Sequence, residues 1–289
     1  MPLETLSVSQ NSNSDTQPRP LKEGGVCYNI IVNYLFSFIL GTIVGSFLNV
    51  VALRWDLPYQ GSILSRFRGR SQCPHCGNKL SWTELVPILS FFILKAKCRE
   101  CQASISYQYP LVELWTGLVF VFNYLLFGIT LYSLLITLVF CIYIVITIYD
   151  FKYKIIPDSL VYFTILLTFM VRFISGGDLL DWLTGPIFFI FFGSIWFLSG
   201  GRAMGFGDAK LGLSVGLLLG ALQGFSAMVL AFWIGAFISL LYIFLNNKGF
   251  IKSDKKLTMK SEIPFAPFII IGAWVSVIFQ LNLFHALSF

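Results

Sequence analysis

Met204-Gly205-Phe206-Gly207-Asp208-Ala209-Lys210-Leu211 sits where one apolar run of the chain gives way to the next. A carboxylate at the mouth of an apolar helix is costly, so its presence needs a reason. Gly205 and Gly207 flank it without side chains, which lets another backbone or a substrate come close. A matching acid lies upstream. Asp150 closes the apolar run 137–149 and is followed by Phe151-Lys152-Tyr153-Lys154-Ile155-Ile156-Pro157-Asp158. Two carboxylates, each at a helix end, form a candidate proton-sharing pair.

What surrounds the pair is membrane-like. Hydrophobic residues make up 56% of the 289-residue chain and charged residues only 12%, whereas a soluble domain carries about a quarter charged residues. The composition predicts an all-α polytopic membrane protein. A span needs roughly 20 apolar residues to cross the hydrocarbon. Such runs fall near 28–52, 111–129, 131–149, 159–175, 183–200, 209–222, 225–246 and 263–284, so about eight transmembrane helices are expected. The sixth is short and glycine-rich, and Gln223-Gly224 marks its boundary with the seventh.

The net charge of +6 does not point to nucleic acid, because the basic residues cluster in connections between apolar runs. The connection 53–110 carries Arg54, Arg66, Arg68, Arg70, Lys79, Lys95, Lys97 and Arg99, and the connections at Lys152-Lys154, Arg202-Lys210 and Lys248 to Lys260 are also basic. The intervening ones, at 128–130, 176–178 and 223–224, have no Lys or Arg. With eight spans all four basic connections share one side, which the positive-inside rule makes the cytoplasm. Both termini then lie outside, and Asp150 and Asp208 both reach the cytoplasmic boundary. Residues 1–26 are polar, rich in Ser, Asn, Gln and Pro. That segment is expected to be disordered and lacks the pattern of a cleavable signal peptide.

Four of the six cysteines form two C-x-x-C pairs, Cys73-Pro74-His75-Cys76 and Cys98-Arg99-Glu100-Cys101. Each pair can supply two thiolates from one tight turn, and four make a tetrahedral zinc site. Their separation is slightly longer than the usual window for such a site. A reducing cytoplasm disfavours disulfides, so one structural zinc ion stabilising the loop after the first helix is expected. A redox dithiol or a metal-free loop are the alternatives. His75 reads as a bystander, and Cys27 and Cys141 as packing residues.

Two carboxyls held close share a proton, and one can activate water while the other protonates the attacked carbonyl. Acids before helices are also ordinary caps. The cap is the expectation for Asp158 after Pro157. Asp150, at a helix C-terminus, is placed against the local dipole, which favours function. Lys210 can pair with a carboxylate or with lipid phosphate. Glu113 reads as a first-turn acid matched to its helix dipole.

These blocks resemble the type IV prepilin peptidase family, the bifunctional leader peptidase and N-methyltransferase of bacterial pilus and type II secretion systems. The likeness runs from about Gly41 to Phe268 and takes in Gly45-Ser46-Phe47-Leu48-Asn49-Val50-Val51 and Arg54, the paired cysteines, Tyr109-Pro110-Leu111-Val112-Glu113, the two aspartate blocks and Ile263-Pro264-Phe265-Ala266-Pro267-Phe268. The resemblance implies a multi-pass protein of the bacterial cytoplasmic (inner) membrane with its active site facing the cytoplasm. Asp150 and Asp208 would be catalytic, supported by Gly205, Gly207 and Lys210. Prepilins and pseudopilins would be cut after the glycine of a basic leader, and the new N-terminal residue, usually Phe, methylated from S-adenosylmethionine. Cys73, Cys76, Cys98 and Cys101 would hold zinc, and Asn49, Arg54 and Glu113 are methyl-transfer candidates. The implied organisation is a polar segment 1–26, a first transmembrane helix 27–52, a methyltransferase-associated cysteine loop 53–110 and a transmembrane aspartyl peptidase core 111–289. Gln108 stands where the family commonly has arginine, Ala266 where it has glycine, and Leu94-Lys95-Ala96-Lys97 replaces a glycine-containing approach to Cys98. Another glycine-flanked-aspartate intramembrane protease, or a proton-coupled transporter, are the competing readings.

Overall fold

A computed structural model describes residues 23–55, 69–202, 204–247 and 264–282. The expected disorder of 1–26, save its last few residues, lies outside them, as do Arg66, Arg68, the basic stretch 248–260, Ile263 and the end of the last expected span. Among the described residues the chain is helical, with only two isolated β-bridges, Gln72 to Lys79 and Lys97 to Ser104.

Helix α1 (Glu23–Arg54) leads into the cysteine lobe, which holds a 3-10 turn (Trp82–Leu85) and the short α2 (Leu89–Ile93). Then follow α3 (Gln108–Phe127), α4 (Leu131–Tyr153), α5 (Asp158–Ser175), α6 (Leu179–Ser199), α7 (Phe206–Asn247) and α8 (Ala266–Phe279). Six of them, α1 and α3 to α7, are long and apolar enough to cross a membrane, while α8 is shorter. The expected spans 209–222 and 225–246 are one 42-residue element, α7, broken at Gly220, where φ is 74° and ψ −169°. The expected boundary at Gln223-Gly224 is therefore three residues late, since an all-apolar run hides its break from hydropathy.

The α4 helix is central. It packs on α1, α3, α5 and α8, and Val139, Phe140, Tyr143 and Ile146 on it are fully buried. Thr130 caps its start by accepting from Ser133 N–H at 3.0 Å. Lys154, in the left-handed region, ends it with its N–H on the Asp150 carbonyl at 2.8 Å.

Two helix crossings are set by glycine, as lipid-embedded helices often require. A Cβ on Gly41 of α1 would lie 2.8 Å from Gly117 Cα of α3, and one on Gly216 of α7 would lie 2.7 Å from Gly185 Cα of α6. These close approaches fix α1 on α3 and the first limb of α7 on α6. The cysteine lobe joins α1 to α3, and it rests at the end of the bundle where α4 finishes.

Candidate active site

Asp150 lies in the last turn of α4 and Asp208 in the first turn of α7. The fold brings them together: both are buried, 5% and 7% exposed, and Asp150 acts on Asp208 by direct Coulomb interaction. Each carboxylate is held by one backbone amide. The Ala266 N–H at the start of α8 donates to Asp150, and the Gly205 N–H donates to Asp208. Asp208 is the third residue of α7, so this bond is half of a capping box. The other oxygens, Asp150 Oδ2 and Asp208 Oδ1, are buried and have no partner among the described residues.

The glycines play different parts. A Cβ on Gly207 would lie 2.9 Å from Ile156 Cβ, so its absence lets the connection after Asp150 pack against α7. A Cβ on Gly205 would meet only Asp208 Oδ2 at 3.5 Å. Lys210 does not reach the pair. Its Nζ donates to Asp158 Oδ1 at 2.7 Å and stands over the Tyr162 and Phe206 rings at 5.2 and 5.0 Å. Asp158 is thus not the expected cap: Pro157 occupies the cap position, and Asp158 ties α5 to α7.

In the cysteine lobe the four Sγ atoms lie within 4.8 Å of one another and could hold a metal ion. Cys73 Sγ and Cys101 Sγ are 3.8 Å apart, the separation of ~3.8 Å expected for two thiolates ~2.3 Å from one tetrahedral ion. Each C-x-x-C occupies a similar knuckle: Gly77 N–H returns to the Cys73 carbonyl at 2.9 Å and Gln102 N–H to that of Cys98 at 3.1 Å. Backbone N–H groups of Cys76 and His75 draw the Cys73 thiol down to about 6. At Cys101 the Ala103 N–H pulls down, but burial and the neighbouring thiols outweigh it and leave the group at about 11. The His75 side chain is exposed, consistent with a bystander.

A cavity of about 470 Å³ separates this lobe from α1 and α3, and Arg54, Glu84, Arg99, Tyr109 and Glu113 line it. The Ser81 N–H holds the Glu84 carboxyl below its ordinary value, with Arg99 adding to the effect. Glu113 is in the second turn of α3, not the first, because the helix begins three residues earlier than expected. Its Oε2 accepts from Ile88 N–H at 2.7 Å, and Ser46 also bonds it. Ile88 has φ 61°, a rare conformation for a β-branched residue. Asn49 is fully buried outside the cavity wall, bonded to the Gly45 and Tyr109 carbonyls and to Gln108.

Sequence reasoning missed the Arg172–Asp181 pair and the hydrogen bond between Tyr143 and Ser214. An arginine inside an apolar span was itself the available signal.

Comparison with known proteins bears on both halves of the chain. Residues 39–127 match the Bacterial Peptidase A24 N-terminal domain and residues 136–242 the Type IV leader peptidase family. The "Prepilin leader peptidase/N-methyltransferase" of Aeromonas hydrophila is 30% identical over 271 residues, covering 83% of this chain and 89% of that protein. The protein of the same description from Bacillus subtilis (strain 168) is 30% identical over 246 residues, covering 84% and 92%. That from Myxococcus xanthus (strain DK1622) is 54% identical over 86 residues, or 30% and 24% of the two chains. No solved structure matches significantly.

Proposed function

The chain belongs to the type IV leader peptidase family, and on that premise we propose that it is a membrane aspartyl endopeptidase and N-methyltransferase acting on prepilins and pseudopilins. The observation that carries the peptidase reading is the buried pair Asp150 and Asp208, each with one oxygen that has no partner among the described residues. One carboxylate takes a proton from water as the water oxygen attacks the scissile carbonyl carbon. The other, protonated, gives its proton to the carbonyl oxygen. When the tetrahedral species collapses, the C–N bond breaks and the leaving amine takes up the proton first removed from water. The two acids act as one unit, so neither role is assigned to one residue alone.

The leader is cut after its glycine on the cytoplasmic side. Glycine suits that bond, because a helical substrate must unwind before the carboxylates can reach it and glycine lowers that cost. The basic connections support this orientation in the bacterial inner membrane, with both termini outside. Gly207 admits Ile156 beside Asp208, and Lys210 anchors the same turn to Asp158.

Residues 53–110 form the methyltransferase-associated lobe and 111–289 the peptidase core, with 27–52 the first span and 1–26 a polar lead. Zinc suits Cys73, Cys76, Cys98 and Cys101, since the thiol spacing and the amides aimed at Cys73 favour thiolate ligation. When bound, S-adenosylmethionine supplies an electrophilic methyl group for the new N-terminal amine. The cavity beside the lobe falls within the ~300–1,000 Å³ range of small-molecule sites, and Arg54 on its wall offers a cation for a carboxylate. Glu113 holds the Ile88 backbone at that wall, and Asn49 fixes α1 to α3 behind it.

The test is a purified substrate with a basic leader, a glycine, then Phe and an apolar helix, followed by mass spectrometry. Cleavage after the glycine is expected with wild type and not with Asp150→Asn or Asp208→Asn. A methyl mass on the product is expected only when S-adenosylmethionine is supplied. Absence of cleavage by folded wild type would turn the reading toward a proton-coupled transporter.

A further inference from the structure

The break in α7 exposes the peptide groups that an unbroken helix would pair internally. Where a helix end is buried in protein, those groups must find other partners. Arg172, 94% of whose surface is buried since only 6% stays exposed, supplies them to the first limb, residues 206–219. Its Nε donates to the Leu217 carbonyl at 2.9 Å and its Nη2 to the Leu218 carbonyl at 3.2 Å. Asp181 serves the second limb, with Oδ1 accepting from Ala221 N–H at 2.9 Å. The cation thus sits at a helix C-terminus and the anion at a helix N-terminus, the favourable ends for each. The two side chains also face one another, Nη1 to Oδ2 at 3.8 Å. Gly220 leaves them the space, since a Cβ there would fall 2.8 Å from Arg172 Nη2.

The first limb carries Asp208. Helix α5 grips this limb at two points: Asp158 at its start binds Lys210, and Arg172 near its end binds Leu217 and Leu218. These two grips add to the close Gly216–Gly185 approach and the Tyr143–Ser214 bond on the same limb, and together they resist its tilting or sliding along its neighbours. We propose that Arg172, with Asp181, is a positioning residue for Asp208, acting through the first limb of α7 from the far side of the bundle. This rests on the reading of Asp208 as half of the catalytic pair. From Leu218 to Asp208 the limb runs ten residues, or ~15 Å at 1.5 Å per residue, so Arg172 touches neither substrate nor reacting atoms. A slip of one residue would shift Asp208 by ~1.5 Å and turn it by ~100°, and misplacement by ~1 Å can cost ~10²-fold in rate.

The experiment uses the full chain in detergent or proteoliposomes, with rates normalised to folded protein. Arg172→Ala is expected to lower kcat by ~10²-fold and leave KM within about twofold, because substrate contacts are untouched. If that variant does not fold, Arg172→Gln, which keeps a donor but loses the fork, is measured in its place. The exchange Arg172→Asp with Asp181→Arg restores opposite charges but not a donor fork on Leu217 and Leu218, so it is expected to stay slow. A second readout is independent of activity. With Asp150→Cys and Asp208→Cys, a short thiol-to-thiol cross-linker should join the two positions, identified by mass spectrometry of the linked peptides. Arg172→Ala or Arg172→Gln is expected to reduce that yield severalfold. Wild-type kcat and wild-type cross-linking in the folded variants would overturn the proposal and leave the clamp a stabilising contact only. Failure of the peptidase reading shows separately, as a wild type that cleaves nothing while the Asp150→Cys, Asp208→Cys protein that keeps Arg172 cross-links in full.

Discussion

Tyr143 Oη and Ser214 Oγ meet at 2.7 Å in the fully buried interior, joining the helix that carries Asp150 to the limb that carries Asp208. Tyr143 lies seven residues before Asp150 and Ser214 six after Asp208, so each is about two turns along its helix from the acid. The bond therefore sets how the two aspartate-bearing helices register on one another.

Removing one partner leaves the other hydroxyl buried and unpaired. Tyr143→Phe and Ser214→Ala are each expected to cost ~1–3 kcal/mol, and the double variant less than their sum, because no orphan then remains. Unfolding of the three variants in mild detergent, by denaturant or heat, measures this. Additive losses would show that the two hydroxyls do not couple.

Asp150→Asn and Asp208→Asn are expected to abolish leader cleavage and leave the protein folded and no less thermostable than wild type. Each change removes a charge from a buried pair that interacts directly, and each keeps an oxygen for the single backbone amide. Functional sites often sit in such local conflict, and relieving it commonly stabilises. A melting curve beside the cleavage assay checks both halves, and a marked fall in melting temperature would assign the pair a structural role.

Much of this architecture is legible in the sequence because it depends on single positions. Asp150 and Asp208 announce themselves as charges at the ends of apolar runs, and the paired cysteines by spacing alone. What is hidden depends on partners far apart in the chain. Asp158 reads as a cap until Lys210, 52 residues away, is seen beside it. The break at Gly220 looks like continuous hydropathy because the groups that satisfy it, Arg172 and Asp181, belong to two other helices. Glu113 shows the same limit, since its partner Ile88 has an unusual backbone that no propensity predicts.

Metal removal is expected to separate the two activities. Among its described residues the lobe has little core beyond Cys73, Cys98 and Phe91, so ligation of a metal is expected to supply much of its folding free energy. One zinc ion per chain is expected by elemental analysis. Chelation, or Cys98→Ser, is expected to abolish N-methylation and loosen residues 69–106 to proteolysis. Cleavage at the aspartate pair should persist within severalfold, because the pair rests on α4, α7 and α8. Equal loss of both activities would place the lobe inside the peptidase mechanism.

The two knuckles carry different residues at the left-handed position that closes each turn, and this difference is testable. Gly77 follows the first cysteine pair with φ 69°, and Gln102 follows the second with φ 58°. For a residue with a Cβ this left-handed conformation costs ~1–2 kcal/mol, and for glycine almost nothing. The backbone bond that closes each turn is of the same kind, at 2.9 and 3.1 Å, so the residue at this position can be compared between them. Gln102→Gly should stabilise the lobe by ~1 kcal/mol, less whatever is lost with the weak bond from its side chain to the Arg99 carbonyl at 3.3 Å. Gly77→Ala should destabilise it by a similar amount, although a Cβ there meets nothing within 4 Å. Protease resistance of the lobe at limiting zinc reads both changes in one assay. Opposite shifts are the expected result, and a neutral Gly77→Ala would mean that backbone strain does not govern the knuckles.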